Sequence, residues 1–180
     1  MVQSEAPVVI LVRPQLAANI GAAARAMMNC GLVDLRLVVP RDGWPNPEAL
    51  PMAAGGADII ENTTVFNSLA GAMHDMTFAV ALSARRRDMS LRYAHPREVS
   101  VEILNHGGKA ALVFGPEASG LDNDEVAQTD CMVTANLNPD YPSLNLAQAV
   151  LLMGWEWRMA AFAAADKPDI VESDERNDGR

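Results

Sequence analysis

Asn138-Pro139-Asp140-Tyr141-Pro142-Ser143-Leu144-Asn145-Leu146-Ala147-Gln148-Ala149-Val150 begins as a tight polar turn and runs without a break into the longest apolar helical pattern of the chain. Pro139 and Pro142 stiffen the turn. Ser143 stands where a helix N-cap is expected, its hydroxyl placed to accept from an amide two or three residues on. From residue 144 to residue 165 no proline intervenes and only Gly154 interrupts, which predicts a helix about 33 Å long at about 1.5 Å per residue. A polar, preorganised loop on the lip of such a helix is a natural ligand site.

Working back toward the N-terminus, the runs Val8-Val9-Ile10-Leu11-Val12, Ala110-Ala111-Leu112-Val113-Phe114 and Cys131-Met132-Val133-Thr134 are continuous rather than alternating. That pattern belongs to strands buried on both faces. Leu35-Arg36-Leu37-Val38-Val39 and residues 77–82 read the same way, and residues 63–66 as a shorter strand. Between them lie helical stretches. Residues 19–29 are Ala-rich and closed by Gly31, and Pro47 opens a short helix that Gly55-Gly56 should end. Residues 68–74 and 96–105 follow, and Asp122 and Glu125 form an Asp-x-x-Glu capping box. Residues 83–95 read as a basic loop. Strands alternating with helices imply an α/β fold with a mostly parallel sheet and helices on both faces. Residues 1–165 are expected to form one domain, and the charged, aperiodic residues 166–180 a disordered acidic tail.

Only 5% of the residues are aromatic, so Ala, Val, Leu and ten Met must supply most of the core. No apolar run is long enough to span a membrane and no secretory leader precedes the first strand, which points to a cytoplasmic protein. Cys30 and Cys131 are read as reduced, structural thiols. His74, His95 and His106 have no ligand spacing, so no metal is expected. The net charge of −9 opposes a nucleic-acid partner, but its distribution weakens the objection. Residues 1–100 carry 9 basic and 9 acidic side chains against 5 and 14 in residues 101–180, and Arg85, Arg86, Arg87, Arg92 and Arg97 form a local basic patch. An ordinary solvated loop explains that patch equally well.

Ligands of parallel sheets gather at the carboxyl ends of the strands. Four loops there stand out: Asn19-Ile20-Gly21-Ala22-Ala23-Ala24-Arg25, Leu82-Ser83-Ala84-Arg85, Phe114-Gly115-Pro116-Glu117-Ala118-Ser119-Gly120-Leu121, and the quoted turn. Neither a phosphate-binding P-loop nor a Gly-x-Gly-x-x-Gly dinucleotide motif is present, and Ser119 lacks the Gly-x-Ser-x-Gly elbow of hydrolases. The first, third and fourth loops, in this order and spacing, resemble the three motifs of the SPOUT superfamily in its SpoU/TrmH branch of RNA ribose 2′-O-methyltransferases. Ser83-Ala84-Arg85 and Asn138-Pro139-Asp140-Tyr141 look most like the TrmJ group, which methylates the ribose at position 32 of the tRNA anticodon loop.

The resemblance implies a knotted SPOUT fold with a C-terminal trefoil knot, a homodimer, and S-adenosyl-L-methionine as cofactor. It places Leu82, Ser83, Ala84, Gly115, Ala135, Pro142, Ser143 and Leu144 around that cofactor, and Asn19, Arg85 and Tyr141 against the RNA substrate. Arg25 and Ser143 become the candidate catalytic residues. A guanidinium holds its proton too firmly to be an easy base, so Arg25 reads better as a clamp on phosphate and a stabiliser of the developing alkoxide. Chains of the TrmJ group usually continue into a C-terminal helical extension, so this chain is expected to be a catalytic-domain piece, residues 166–180 being either tail or the start of that extension. Two alternatives stay open: a ribosomal RNA target, and a catalytically silent SPOUT module that binds RNA or protein.

Overall fold

The computed structural model describes residues 5–84 and 90–166. In chain order the elements are β1 (Val8–Val12), α1 (Ala17–Cys30) and β2 (Leu35–Val38). A helical run follows, made of the 3-10 turn Pro47–Ala49, α2 (Leu50–Ala53), the 3-10 turn Ala54–Gly56 and α3 (Ala57–Glu61). Then come β3 (Thr64–Phe66), α4 (Leu69–Ala72), β4 (Phe78–Leu82), β5 (Arg92–Ala94), α5 (Pro96–His106) and β6 (Ala110–Phe114). The described chain closes with α6 (Asn123–Ala127), β7 (Cys131–Val133) and α7 (Leu146–Ala165).

The strands form one sheet in the order β3-β2-β1-β6-β4-β7-β5, and every pairing is parallel. β1 and β6 are buried along their whole length, which is why their sequences do not alternate. On one face Val9, Leu11, Leu112 and Phe114 pack with α1, α5 and α7; on the other Ile10, Val12 and Val113 pack with Leu69, Ala72, Leu121 and Val126. The helices thus cover both faces, as the alternation of elements requires.

α1 lies on α7 because both contact surfaces are thin. At Gly154 a Cβ would sit 2.9 Å from both Cβ and Sγ of Cys30, so only glycine allows this approach. α7 buries Leu146, Val150, Met153, Gly154 and Trp157, one stripe at helical spacing. Leu151, Trp155 and Phe162 are left exposed on its other side. Burial raises the pKa of both thiols, Cys30 and Cys131, which suits structural rather than reactive cysteines.

Arg36, a charge within the apolar β2 pattern, is buried but fully engaged. Its guanidinium donates to Asp75 at 2.9 Å, to Asp34 at 3.2 Å and to the Ala72 carbonyl at 2.8 Å, and Asp75 also accepts from Lys109 at 2.9 Å.

Four expectations change. The N-cap of α7 is Asn145, not Ser143: Asn145 Oδ1 accepts from the Gln148 amide at 2.8 Å, and Gln148 Oε1 accepts from the Asn145 amide at 3.1 Å. The helix therefore starts at Leu146 and has 20 residues. The helix opened by Pro47 breaks at Ala54, φ +48°, one residue ahead of Gly55-Gly56, and those glycines sit in a 3-10 turn that leads on into α3. The stretch read as a loop over residues 83–95 contains β5, which gains order by pairing with β7. Two arginines of the basic patch are spent on ion pairs, Arg92 with Glu102 at 2.7 Å and Arg97 with Glu156 at 3.2 Å. Arg85, Arg86 and Arg87 lie outside the described residues, as does the expected tail from residue 167 onward.

Candidate functional site

The carboxyl ends of β4, β6 and β7 meet the start of α7 around a cavity of about 320 Å³. Residues 82–84, 114–120, Val133, Ala135, Leu137 and 142–144 line it, together with Leu146, Ala149 and Leu152 of α7. Leu82, Ser83, Ala84, Gly115, Ala135, Pro142, Ser143 and Leu144 are thus brought together around one space.

Local chemistry builds each wall. After β6, the chain folds back so tightly at Gly115 that a Cβ there would collide with the Leu121 amide and the Gly120 carbonyl carbon. Gly120 closes this turn, donating its amide to the Pro116 carbonyl at 2.8 Å with φ +69°. After β4, the Ser83 amide reaches the Val133 carbonyl at 3.2 Å and keeps the two strand ends side by side. The polar turn before α7 is held by Asn138, whose Oδ1 accepts from the Asp140 amide at 3.0 Å and whose carbonyl accepts from the Tyr141 amide at 3.0 Å.

The interior is small and partly apolar. Among the described residues Glu117 is the one ionisable side chain in the lining, and its carboxylate is engaged. It accepts from the Gln15 amide at 2.8 Å and from Asn19 Nδ2 at 3.0 Å. That pair of bonds attaches the first motif to the second.

Asn19, Arg25 and Tyr141 do not line the cavity. Asn19 stands directly behind its wall through Glu117. Arg25 is exposed on α1 with no hydrogen bond or ion pair among the described residues. Tyr141 is 76% exposed on the turn beside Pro142 and Ser143. Arg85 lies outside the described residues.

Sequence reading missed Leu137, Ala149 and Leu152. The last two follow Leu146 at steps of three residues, a spacing that puts all three on one side of a helix. Gln15 was missed too, since its contacts are with residues about a hundred positions away. The histidines serve locally: His106 stacks on Phe78 at 5.0 Å and meets Thr77 at 2.9 Å, while His74 meets the Gly71 carbonyl at 2.8 Å. Among the described residues no cluster of His, Cys, Asp and Glu could hold a metal ion, and no helix is long and apolar enough to cross a membrane.

Comparison with known proteins adds four findings. The SpoU rRNA Methylase family model matches residues 6–155. The uncharacterized tRNA/rRNA methyltransferase LasT of Escherichia coli is 46% identical over 148 residues, covering 80% of this chain and 64% of the relative. The tRNA (cytidine/uridine/adenosine-2′-O-)-methyltransferase TrmJ of Pseudomonas aeruginosa is 39% identical over 167 residues, covering 91% and 65%. This chain therefore spans just under two thirds of either relative. The crystal structure of TrmJ from Z. mobilis superposes with a TM-score of 0.84 at 45% identity, covering 86% of this chain and 69% of that one.

Proposed function

This chain belongs to the SpoU rRNA Methylase family, and from that premise we propose that it is an S-adenosylmethionine-dependent ribose 2′-O-methyltransferase acting on tRNA. The observation that carries the reading is the meeting of three separate strand-end loops and the α7 lip around one cavity, with the Asn19–Arg25 helix tied to its back wall by Glu117. Relatives named as tRNA 2′-O-methyltransferases support the substrate class. Position 32 of the anticodon loop is the expected target.

The lining suits the cofactor. Strand-end backbone and small side chains at Leu82, Ser83, Ala84, Gly115, Ala135, Pro142 and Leu144 would hold an adenosine and an amino-acid end. When bound, S-adenosylmethionine supplies an electrophilic methyl group. The chain's own task is orientation, exclusion of water and charge stabilisation. Phe114, Leu137, Leu146 and Leu152 make the apolar part of the lining and keep water away. Ser143, at the exposed rim, orients the attacking ribose hydroxyl. Arg25 offers its whole guanidinium to the RNA, gripping phosphate and stabilising the alkoxide as it forms. Tyr141 provides an exposed ring for a splayed base, Asn19 supports the cavity wall from behind through Glu117, and Arg85 meets phosphate.

The proposal includes a trefoil knot at the C-terminal part of the fold and a cytoplasmic homodimer. Support for the dimer comes from Leu151, Trp155 and Phe162, which expose an apolar stripe along α7 that a second copy would cover. Calorimetric titration with S-adenosylmethionine tests the reading: one site per chain is expected. A folded protein that takes up none would instead be a silent binding module.

A further inference from the structure

Behind the cavity wall, two loops distant in sequence are clasped at two points. The turn from β1 to α1 carries Arg13 and Gln15, with Asn19 in the first turn of α1, and the loop from β6 to α6 carries Glu117, Ala118 and Asp122, with Glu125 in α6. At the first point the bonds run both ways. Glu117 accepts from the Gln15 amide at 2.8 Å, and Gln15 Oε1 accepts from the Ala118 amide at 3.2 Å.

At the second point Arg13 makes a forked pair, with Nε donating to Glu125 Oε1 at 3.0 Å and Nη2 to Oε2 at 2.9 Å. The same Oε2 accepts from the Asp122 amide at 2.8 Å, so one carboxylate both closes the α6 capping box and holds Arg13. Arg13 does this at φ +48°, a conformation costly for a non-glycine residue and kept only where surroundings impose it.

Neither Arg13 nor Gln15 lines the cavity. The stretch they anchor, residues 117–125, however, includes residues 117–120 of the wall. The turn that fixes this wall is also the turn that starts α1, and so sets where Arg25 stands.

We propose that Arg13 and Gln15 are positioning residues for methyl transfer, holding the cofactor-facing wall in register with the first turn of the helix that carries Arg25. The proposal rests on the function proposed above. Neither residue touches a reactant; each acts through Glu117, Ala118 or Glu125.

The test compares wild type, Gln15→Ala, Gln15→Met and Arg13→Ala by calorimetric titration with S-adenosylmethionine, by tRNA methylation kinetics and by thermal melting. Gln15→Met keeps length but removes the acceptor. Both Gln15 variants should raise the cofactor Kd roughly two- to tenfold, the worth of one hydrogen bond, and lower kcat about tenfold at saturating substrates. KM for tRNA and the melting midpoint should stay near wild type. Arg13→Ala should shift the same constants; if it fails to fold, the Gln15 pair carries the test. Wild-type Kd and kcat in both Gln15 variants would overturn the proposal, as would a lowered melting midpoint with intact kinetics. A wild type that binds no cofactor refutes the functional reading and takes the proposal with it. A wild type that binds cofactor but leaves tRNA unmodified refutes the substrate alone, and the Kd comparison still decides the clasp.

Discussion

Replacing Ser143 and Asn145 one at a time separates helix capping from chemistry, because the structure divides two roles that their neighbouring positions confuse. Asn145 makes both bonds of the α7 capping box, at 2.8 and 3.1 Å. Asn145→Ala removes the first and should cost about 1 kcal/mol, the usual worth of an N-cap. For a chain of 180 residues that lowers the melting midpoint by about 2–4 °C. Ser143 is exposed at the cavity rim, and its hydroxyl has no partner among the described residues. Ser143→Ala should therefore change stability by less than about 0.5 kcal/mol. If the hydroxyl bonds the reacting ribose oxygen as charge develops, its loss removes about 1.5–3 kcal/mol of transition-state stabilisation, or roughly ten- to hundredfold in kcat. Melting curves and single-turnover methylation of tRNA on both variants give the answer. The reasoning is refuted if Ser143→Ala melts as early as Asn145→Ala while methylating at the wild-type rate.

Three further outcomes are expected. Arg25→Ala should abolish turnover while leaving the cofactor Kd within about threefold of wild type, since the residue lies outside the cavity; calorimetry showing lost cofactor binding would remove its assigned role. Trp155→Glu places a charge in the exposed apolar stripe of α7 and should give a monomer by sedimentation, against the dimer proposed for the wild type. Asp75→Asn weakens the ion cluster around buried Arg36 and should cost about 3 kcal/mol in denaturant titration. The pH dependence follows from sign. The hydrogen bond from Arg36, and then that from Lys109, hold the Asp75 carboxyl well below the usual carboxylate range. The unfolded chain thus takes up the proton first on acidification. The stabilisation is complete above about pH 4 and is lost as pH falls toward the folded-state value, and Asp75→Asn should flatten that limb.

The central strands were legible because burial on both faces leaves a continuous apolar run, and β1 and β6 match their readings residue for residue. β5 was not: Arg92-Tyr93-Ala94 is a three-residue edge strand, too short and polar to show a pattern, and it exists through pairing with β7. The α7 cap was misplaced by two residues because both Ser143 and Asn145 are good capping types. Gln148, three residues after Asn145, was the capping-box signal that distinguished them. The burial of Arg36 within its strand was not legible, because its partner Asp75 lies 39 positions on. In the site, the strand-end loops stood out by their glycines, prolines and small residues, and the resemblance to the SpoU/TrmH motifs supplied the individual lining residues. The clasp was not, because Gln15 and Ala118 are brought together only by the neighbouring parallel strands β1 and β6.

The most direct measurement of the central claim is to incubate the protein with total tRNA and S-adenosylmethionine labelled in its methyl group, digest the tRNA to nucleosides, and locate the label by mass spectrometry. The account expects one labelled methyl on a ribose 2′-oxygen, mapping to position 32 in the anticodon loop, with none after Arg25→Ala. Label on a base, or no label from a protein that binds the cofactor, would contradict it.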